Sequence, residues 1–569
     1  MSSPPGDNSS NDDHPPRVVI LGGGYGGVHA ALRLQKAARQ GKIELSLVSQ
    51  DNFFLSHPML AEVVSGSIEP PHIVSPIRRM LPHANFHQAE IQAVEADSRN
   101  VVINYLGDHT HYDRIPFDHL VIAVGGSTDL SRLPGMAEHA FPFKTLGDAL
   151  YLRNHLISVM EEAEVETDPQ GKGELLTFVV AGGGYTGIEV AAEINSFVRE
   201  AAKSYRHIDP KEIRVILLHG GSRILPVLTQ DLAEFSHRVL ERRGVEIRLN
   251  TNIQGATAQA AILNDGITIA TRTLVAAIGS APNRLLDSVP GTRDARGRLV
   301  VDGTLAVPEQ AGIWAVGDCA AIPDVRKGGT CPPTAQYALR EAKQVARNIL
   351  ATIKGKSPRP FSFRSLGVFV PLGRFSATAD LLGLKLSGLP AWFLYRTFYL
   401  YQLPRLERKL RVVTDWTLEL VFRRDIVQMD IARSEGIRRA HYETGENIYC
   451  EGDLARNFYT ILTGEVQVHR MKGGEESPVA TLGAGDYFGE VSLLRGVRHT
   501  ASVRALSSVD LLIMSGTDFK ALATSSRDFG EGLANVMERR LAGSGASRPA
   551  GGGLESKNGP EPPSLPPES

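Results

Sequence analysis

The sequence predicts an α/β protein with two doubly wound units, followed by amphipathic helices and an all-β module. Three observations predict it. The β-branched run Val18-Val19-Ile20-Leu21 breaks into Gly22-Gly23-Gly24-Tyr25-Gly26-Gly27 and resumes as the helical pattern Val28–Leu34. Leu176–Ala181 leads in the same way into Gly182-Gly183-Gly184-Tyr185-Thr186-Gly187. From about residue 430 short β-runs alternate with glycine turns, the pattern of a jelly-roll-like barrel with flanking helices.

Gly22, Gly24 and Gly27 fit G-x-G-x-x-G between a strand and a helix. The first glycine permits a tight turn and the second lets backbone approach a pyrophosphate. The third lets helix and strand close together, and the helix N-terminus offers free N–H groups to the anion. Gly182, Gly184 and Gly187 repeat the device, so two Rossmann-like units suggest two dinucleotides on one chain.

A chain of 569 residues holds several domains. Its 42% hydrophobic and 22% charged content is that of a globular protein, and a net charge of −2 gives no nucleic-acid footprint. Cys319, Cys331 and Cys450 form no C-x-x-C, which points to a reducing compartment without a structural metal site or dithiol relay. The chain shows no confident membrane span and no signal peptide. A cytoplasmic protein is expected, at a membrane surface. Residues 1–16 and 543–569 read as disordered tails.

The remaining elements follow in order. The strand Ile43–Val48 ends at Ser49, where an acidic residue commonly bonds a ribose hydroxyl; serine can do so only as a neutral group. Asp118–Gly126 and Leu274–Gly279 are strands ending in glycines, read as returning beneath a bound cofactor at Gly125 and Gly279. His219 closes the strand Ile213–Leu218. An acid at that place would select NADH by repelling a 2′-phosphate, at roughly 4 kcal/mol for unit charges about 4 Å apart at an effective dielectric near 20. Histidine removes the repulsion, so NADH and NADPH both stay open. Arg223 either attracts a phosphate or is a solvated cation. Asp318, after a strand and a glycine, either accepts from a flavin's ribityl chain or caps the next helix; the upstream glycine loops favour flavin. In 356–429, Leu381–Tyr395 is apolar but interrupted by Lys385 and Pro390, with Arg396, Arg405, Arg408, Lys409 and Arg411 following. This reads as an interface helix lying on anionic lipid, or else as a dimer surface or buried helix pair.

These loops, Ala-x-Gly-Asp-Cys at 315–319 and Thr334-Ala335-Gln336-Tyr337-Ala338 resemble type II NADH dehydrogenases, the non-proton-pumping NAD(P)H:quinone oxidoreductases, over about residues 17–425. The resemblance implies an FAD domain of 17–148 and 290–355, with Gly22, Gly24, Gly27 and Asp318 on the cofactor, and an NAD(P)H domain of 149–289 on Gly182, Gly184 and Gly187. It implies hydride transfer from NADH or NADPH to flavin and two electrons onward to quinone. Glu189 would lie near nicotinamide and flavin, either assisting quinone protonation or merely fixing the loop. Ala335 and Gln336 would lie by the flavin ring, where quinone arrives. Arg340 stands where the family usually has a second glutamine; it either orients a quinone oxygen or pairs with Glu341 or another acid. A homodimer, peripheral on the cytoplasmic side of the cell membrane, is expected.

Gly485–Leu494 and Gly496–Val503 resemble a cyclic-nucleotide-binding domain, spanning 430–542. That implies a cyclic phosphate near Gly489 and a ribose hydroxyl on Glu490. His499 falls at the position of the phosphate-pairing arginine, with Arg498 one residue early and Thr500 after it. Either Arg498 substitutes, or protonated His499 pairs and makes binding pH-sensitive, or the module only docks or dimerises. The alternative functions are a ferredoxin-type or sulfide:quinone reductase, the latter needing a cysteine pair, and a redox-linked signalling protein.

Overall fold

The computed structural model describes residues 14–105, 112–429 and 438–516, except 265, 280, 327, 366, 454, 456, 473, 474 and 496, together with 519. Residues 1–13 and 543–569 of the expected tails, and 520–542 of the expected barrel domain, lie outside the described residues. The chain divides into two compact units, 1–431 and 432–569.

The first unit begins with β1 (Arg17–Leu21), α1 (Tyr25–Arg39), β2 (Glu44–Ser49) and the short α2 (Leu60–Val64). Strands β3 (Asn85–Glu95), β4 (Asn100–Tyr105), β5 (Asp113–Pro116) and β6 (His119–Ile122) follow. The second doubly wound layer holds β7 (Ala140–Pro142), α3 (Leu146–Val165), β8 (Thr177–Ala181), α4 (Tyr185–Ala201), β9 (Arg214–Leu218), β10 (Val245–Arg248) and β11 (Thr273–Ala276). The chain then returns through β12 (Ile313–Ala315) and α5 (Ala335–Ile353).

One sheet runs β12-β6-β1-β2-β3-β4-β5 and the other β7-β11-β8-β9-β10. The first five strands of the former and all of the latter are parallel. Parallel strands covered on both faces need continuous apolar runs, and Val18–Leu21 and Phe178–Ala181 are buried throughout. In each sheet the chain reverses direction beside the central strand, between β1 and β6 and between β8 and β11. Such switch points open a crevice at the strands' carboxyl ends, where both glycine loops lie.

The stretch Leu381–Tyr395 is not one helix, correcting that expectation. Strands β13 (Gly367–Pro371), β14 (Ala377–Leu381) and β15 (Leu384–Gly388) form an antiparallel sheet. Leu382 and Gly383 turn between β14 and β15 at φ +55° and +93°. Leucines 384 and 386 alternate with Lys385 and Ser387 at the period of a strand. Helix α6 (Leu389–Gln402) starts only where Pro390 occupies its first turn, and α7 (Leu406–Val421) follows. Among the described residues no helix is long and apolar enough to cross a membrane.

The second unit comprises β16 (Arg438–Tyr442), β17 (Asn447–Tyr449), β18 (Asn457–Thr463), β19 (Val466–Lys472), β20 (Glu475–Leu482), β21 (Tyr487–Phe488), α8 (Glu490–Arg495), β22 (Ser502–Ala505) and β23 (Val509–Ser515). They make two four-stranded antiparallel sheets, β16-β23-β18-β21 and β17-β22-β19-β20.

Candidate functional site

Both glycine loops are shaped by the same contacts. Gly22 takes φ +111° and Gly182 φ +123°, which favours glycine. A side chain on Gly22 would collide with the Ala123 carbonyl oxygen, and one on Gly182 with that of Ala277. A side chain on Gly27 would strike the carbonyl oxygen of Gly22, and one on Gly187 that of Gly182. Gly24 and Gly184 differ: a Cβ on either meets no atom within 4 Å, and both backbones are extended. The chain itself does not require glycine there. Space for a group seated at the N-termini of α1 and α4 does.

At α1 that space is a cavity of about 540 Å³ walled by Gly22, Gly24, Gly125, Asp318 and Ala335 from one doubly wound unit, and by Thr186, Glu189 and Gly279 from the other. Its charged wall groups are Lys144, Glu189 and Asp318, with His57 beside them. Burial pushes the Asp318 carboxyl up, and Lys144 and His57 pull it back. Lys144 Nζ donates to the Gly126 carbonyl oxygen. Behind Asp318, the buried Glu341 accepts the Gly317 N–H at 2.9 Å and fixes the loop. Burial pushes the Glu189 carboxyl up to about 8, with Glu62 and Glu193 adding to the rise.

A second cavity, about 500 Å³, is lined by Gly182, Gly184, His219 and Gly279. His219 Nδ1 accepts the Gly183 N–H at 3.2 Å. Arg223 donates to the carbonyls of Pro226 and Leu228 at 3.0 and 3.3 Å, so its guanidinium ties down its own loop.

Other expected residues stand back from the cavity. Ser49 is buried against Gly23 and does not line it. Gln336 turns its amide away, Nε2 donating to the Gly367 carbonyl at 3.2 Å and Oε1 accepting from Ser365 at 2.9 Å. The Arg340 guanidinium lies 5.0 Å from the Phe363 ring centroid. The expected pair with Glu341 does not form, because adjacent helix positions point apart, and among the described residues no other acid pairs with Arg340.

Behind Glu189 lies a cluster that no local pattern announces. Glu62 on α2 accepts from Arg396 on α6 at 3.1 Å and from the Trp416 indole on α7 at 2.8 Å. Glu419 accepts from Arg396 at 2.8 Å and from Arg424 at 2.9 Å. Arg424 reaches Glu193 at 3.5 Å. The Arg396 guanidinium lies between two indoles, 4.1 Å from Trp392 and 4.6 Å from Trp416. Burial pushes Glu62 up to about 7 against the pull of Arg396, one unit below Glu189, while the two arginines hold Glu419 below the ordinary carboxylate range.

In the second unit a cavity of about 310 Å³ is lined by Gly489, Glu490, His499 and Thr500, with Tyr449, Phe488 and Arg470. His499 stacks on Tyr449 at 3.6 Å, their planes 9° apart. Burial lowers the His499 imidazole below its ordinary value, which favours the neutral ring, and Asp453 opposes it. Arg498 is not in the wall; its Nη1 donates to the Gly452 carbonyl at 2.7 Å.

Residues 16–342 match the pyridine nucleotide-disulphide oxidoreductase family. The type II NADH:quinone oxidoreductase Ndh of Mycobacterium tuberculosis is 30% identical over 437 residues, covering 74% of this chain and 91% of that protein. The demethylphylloquinone reductase NdbB of Synechocystis is 30% identical over 402 residues, covering 69% of this chain and 94% of its own. The chain belongs to the type II NADH:quinone oxidoreductase family. The fold agrees: NDH2 of Plasmodium falciparum, solved in complex with NADH, superposes with a TM-score of 0.68 at 21% identity, covering 73% of this chain and 100% of that one.

This family member carries a further module, since residues 439–526 match the cyclic nucleotide-binding domain. The sulfide:quinone alternative loses its chemistry. Cys319 and Cys331 are buried thiols pushed up to about 12, and their sulfurs face the backbone carbonyls of Val316 and Pro323. Sequence reasoning missed Lys144, which a capping box of Thr145 and Asp148 immediately after it could have flagged as the residue entering α3.

Proposed function

We propose that this oxidoreductase is FAD-dependent, with FAD held by residues 17–148 and 290–355 and NADH or NADPH by 149–289. The observation carrying the reading is the cavity walled by the first glycine loop and by Thr186, Glu189 and Gly279 of the second unit, with room for a group over Gly24 there and over Gly184 in the second cavity. The residues fit the group. The α1 N-terminus would hold a pyrophosphate over Gly24, with Gly22 and Gly27 shaping that approach, and the Asp318 carboxylate would accept from ribityl hydroxyls. When bound, FAD supplies the redox chemistry, taking hydride from the nicotinamide and passing two electrons to quinone. Gly182, Gly184, Gly187 and His219 hold the NAD(P)H. Glu189 serves as proton donor, since its raised affinity keeps a proton near neutral pH. Ala335 borders the ring site, with Gln336 supporting the segment and Arg340 at the quinone approach.

Membrane seating is supported by α6 and α7, which expose Leu389, Phe393, Tyr401, Leu406 and Leu410. We place the chain peripherally on the cytoplasmic side of the cell membrane, as a homodimer. Residues 430–542 form an effector module for a cyclic nucleotide, on Gly489, Glu490 and Thr500, with Arg470 as the cation in the wall instead of His499 or Arg498. The test is purification with bound flavin, its release and mass, and NADH-dependent reduction of a soluble quinone. Flavin-free protein that gains no activity on FAD addition would refute the reading.

A further inference from the structure

Reducing a quinone to a quinol takes two electrons and two protons. Hydride from NADH carries both electrons and one proton, so one more proton must be supplied each turnover. Glu189 faces the cavity, and what lies behind it decides whether it holds that proton.

Glu189 and Glu193 are one turn apart on the same face of α4, and α2, carrying Glu62, packs on that helix. Glu62 is bound by Arg396 and Trp416 at 3.1 and 2.8 Å, and Glu193 is reached by Arg424 at 3.5 Å. Among the described residues no cation or hydrogen-bond donor engages Glu189. The other groups acting on this region are Glu419 from α7 and the phenols of Tyr185, Tyr395 and Tyr399. The same cavity wall carries Lys144, His57 and Asp318; the Lys144 ammonium donates to the Gly126 carbonyl and faces Asp318 and Asp148. Neighbouring buried carboxylates cannot all ionise, and the negative charge settles where cations and donors face it.

We propose that Glu62 is a positioning residue for the catalytic proton: its Arg396-bound carboxylate keeps the cavity-facing Glu189 protonated. The inference rests on the reading of Glu189 as proton donor. In each turnover Glu189 gives its proton to the reduced quinone oxygen, becomes a carboxylate near the Glu62 carboxylate, and is driven by that repulsion to take up one proton from bulk solvent, the one proton the overall reaction consumes. Arg396 lies on α6, so the helix pair with the exposed apolar face also carries the counter-ion that localises the proton.

The test follows the two half-reactions separately in the full-length holoenzyme. Protein reduced with NADH is mixed anaerobically with a water-soluble short-chain quinone, and the flavin reoxidation rate is measured against pH. In wild type the rate falls above about pH 8. Glu62→Gln moves that fall to lower pH by about one unit, while flavin reduction by NADH keeps its wild-type rate. Glu62→Asp restores the wild-type profile. Trp416→Phe, which removes one donor to Glu62 and leaves its carboxylate, moves the fall the same way by less. If Glu189→Gln abolishes the pH-dependent fall but Glu62→Gln leaves it in place, the role of Glu62 is overturned and Glu189 stands. If Glu189→Gln leaves the profile unchanged, the proton-donor reading fails and this inference fails with it.

Discussion

Replacing Gly24 by valine separates binding from folding. A Cβ at Gly24 meets nothing within 4 Å, and its φ of −86° and ψ of −164° are extended angles that valine adopts. The apoprotein is therefore expected to fold, with a stability change of about 1 kcal/mol or less. The valine side chain stands where the pyrophosphate would approach the start of α1. Losing two charge-assisted bonds to backbone N–H groups, each contributing about 1.5–3 kcal/mol, weakens FAD by about 3–6 kcal/mol, or roughly 10²–10⁴ in Kd. Gly27→Ala is the contrast, because its Cβ strikes the Gly22 carbonyl oxygen and folding itself should suffer. The assay is the flavin-to-protein absorbance ratio after purification, with melting temperatures measured with and without added FAD. Full flavin occupancy in Gly24→Val, or an apoprotein melting as low as Gly27→Ala, would refute the reasoning.

Three further outcomes are expected. His219→Glu keeps an acceptor for the Gly183 N–H and adds a negative charge beside the second cavity; kcat/KM for NADPH relative to NADH should fall at least about tenfold, and an unchanged ratio would show that this position does not select the cofactor. His499→Arg supplies a permanent cation where burial disfavours the charged imidazole; calorimetric titration with cAMP should show affinity rising about 10- to 100-fold, with no gain meaning that no phosphate sits there. Phe393→Asp with Leu410→Asp removes two exposed apolar groups on α6 and α7; co-sedimentation with anionic vesicles should drop more than tenfold at an unchanged melting temperature, and undiminished binding would move the membrane contact elsewhere.

The parts of this molecule legible in the sequence are those encoded at short range. Gly22, Gly24 and Gly27 sit within six residues of one another, and strand, turn and helix are all set by neighbours. Strands β6 and β11 were legible for the same reason, although they stop at Ile122 and Ala276, three residues before Gly125 and Gly279. The hairpin of β14 and β15 was obscured because leucine suits helix and strand alike, and only the two-residue period of Leu384 and Leu386 distinguishes them. The carboxylate cluster was illegible: Glu62 and Arg396 are 334 positions apart, and each alone looks like an ordinary surface charge. Arg340 needed the structure too, since an aromatic face was its partner.

Anaerobic stopped-flow absorbance tests the central claim most directly, that one cavity joins nucleotide oxidation to quinone reduction. Purified protein is mixed with NADH or NADPH while the flavin band is followed, and a soluble quinone is then added with and without cAMP. The expected result is fast bleaching by a reduced nucleotide, then fast recovery on quinone addition. No bleaching by either nucleotide, or bleaching without recovery, would contradict it.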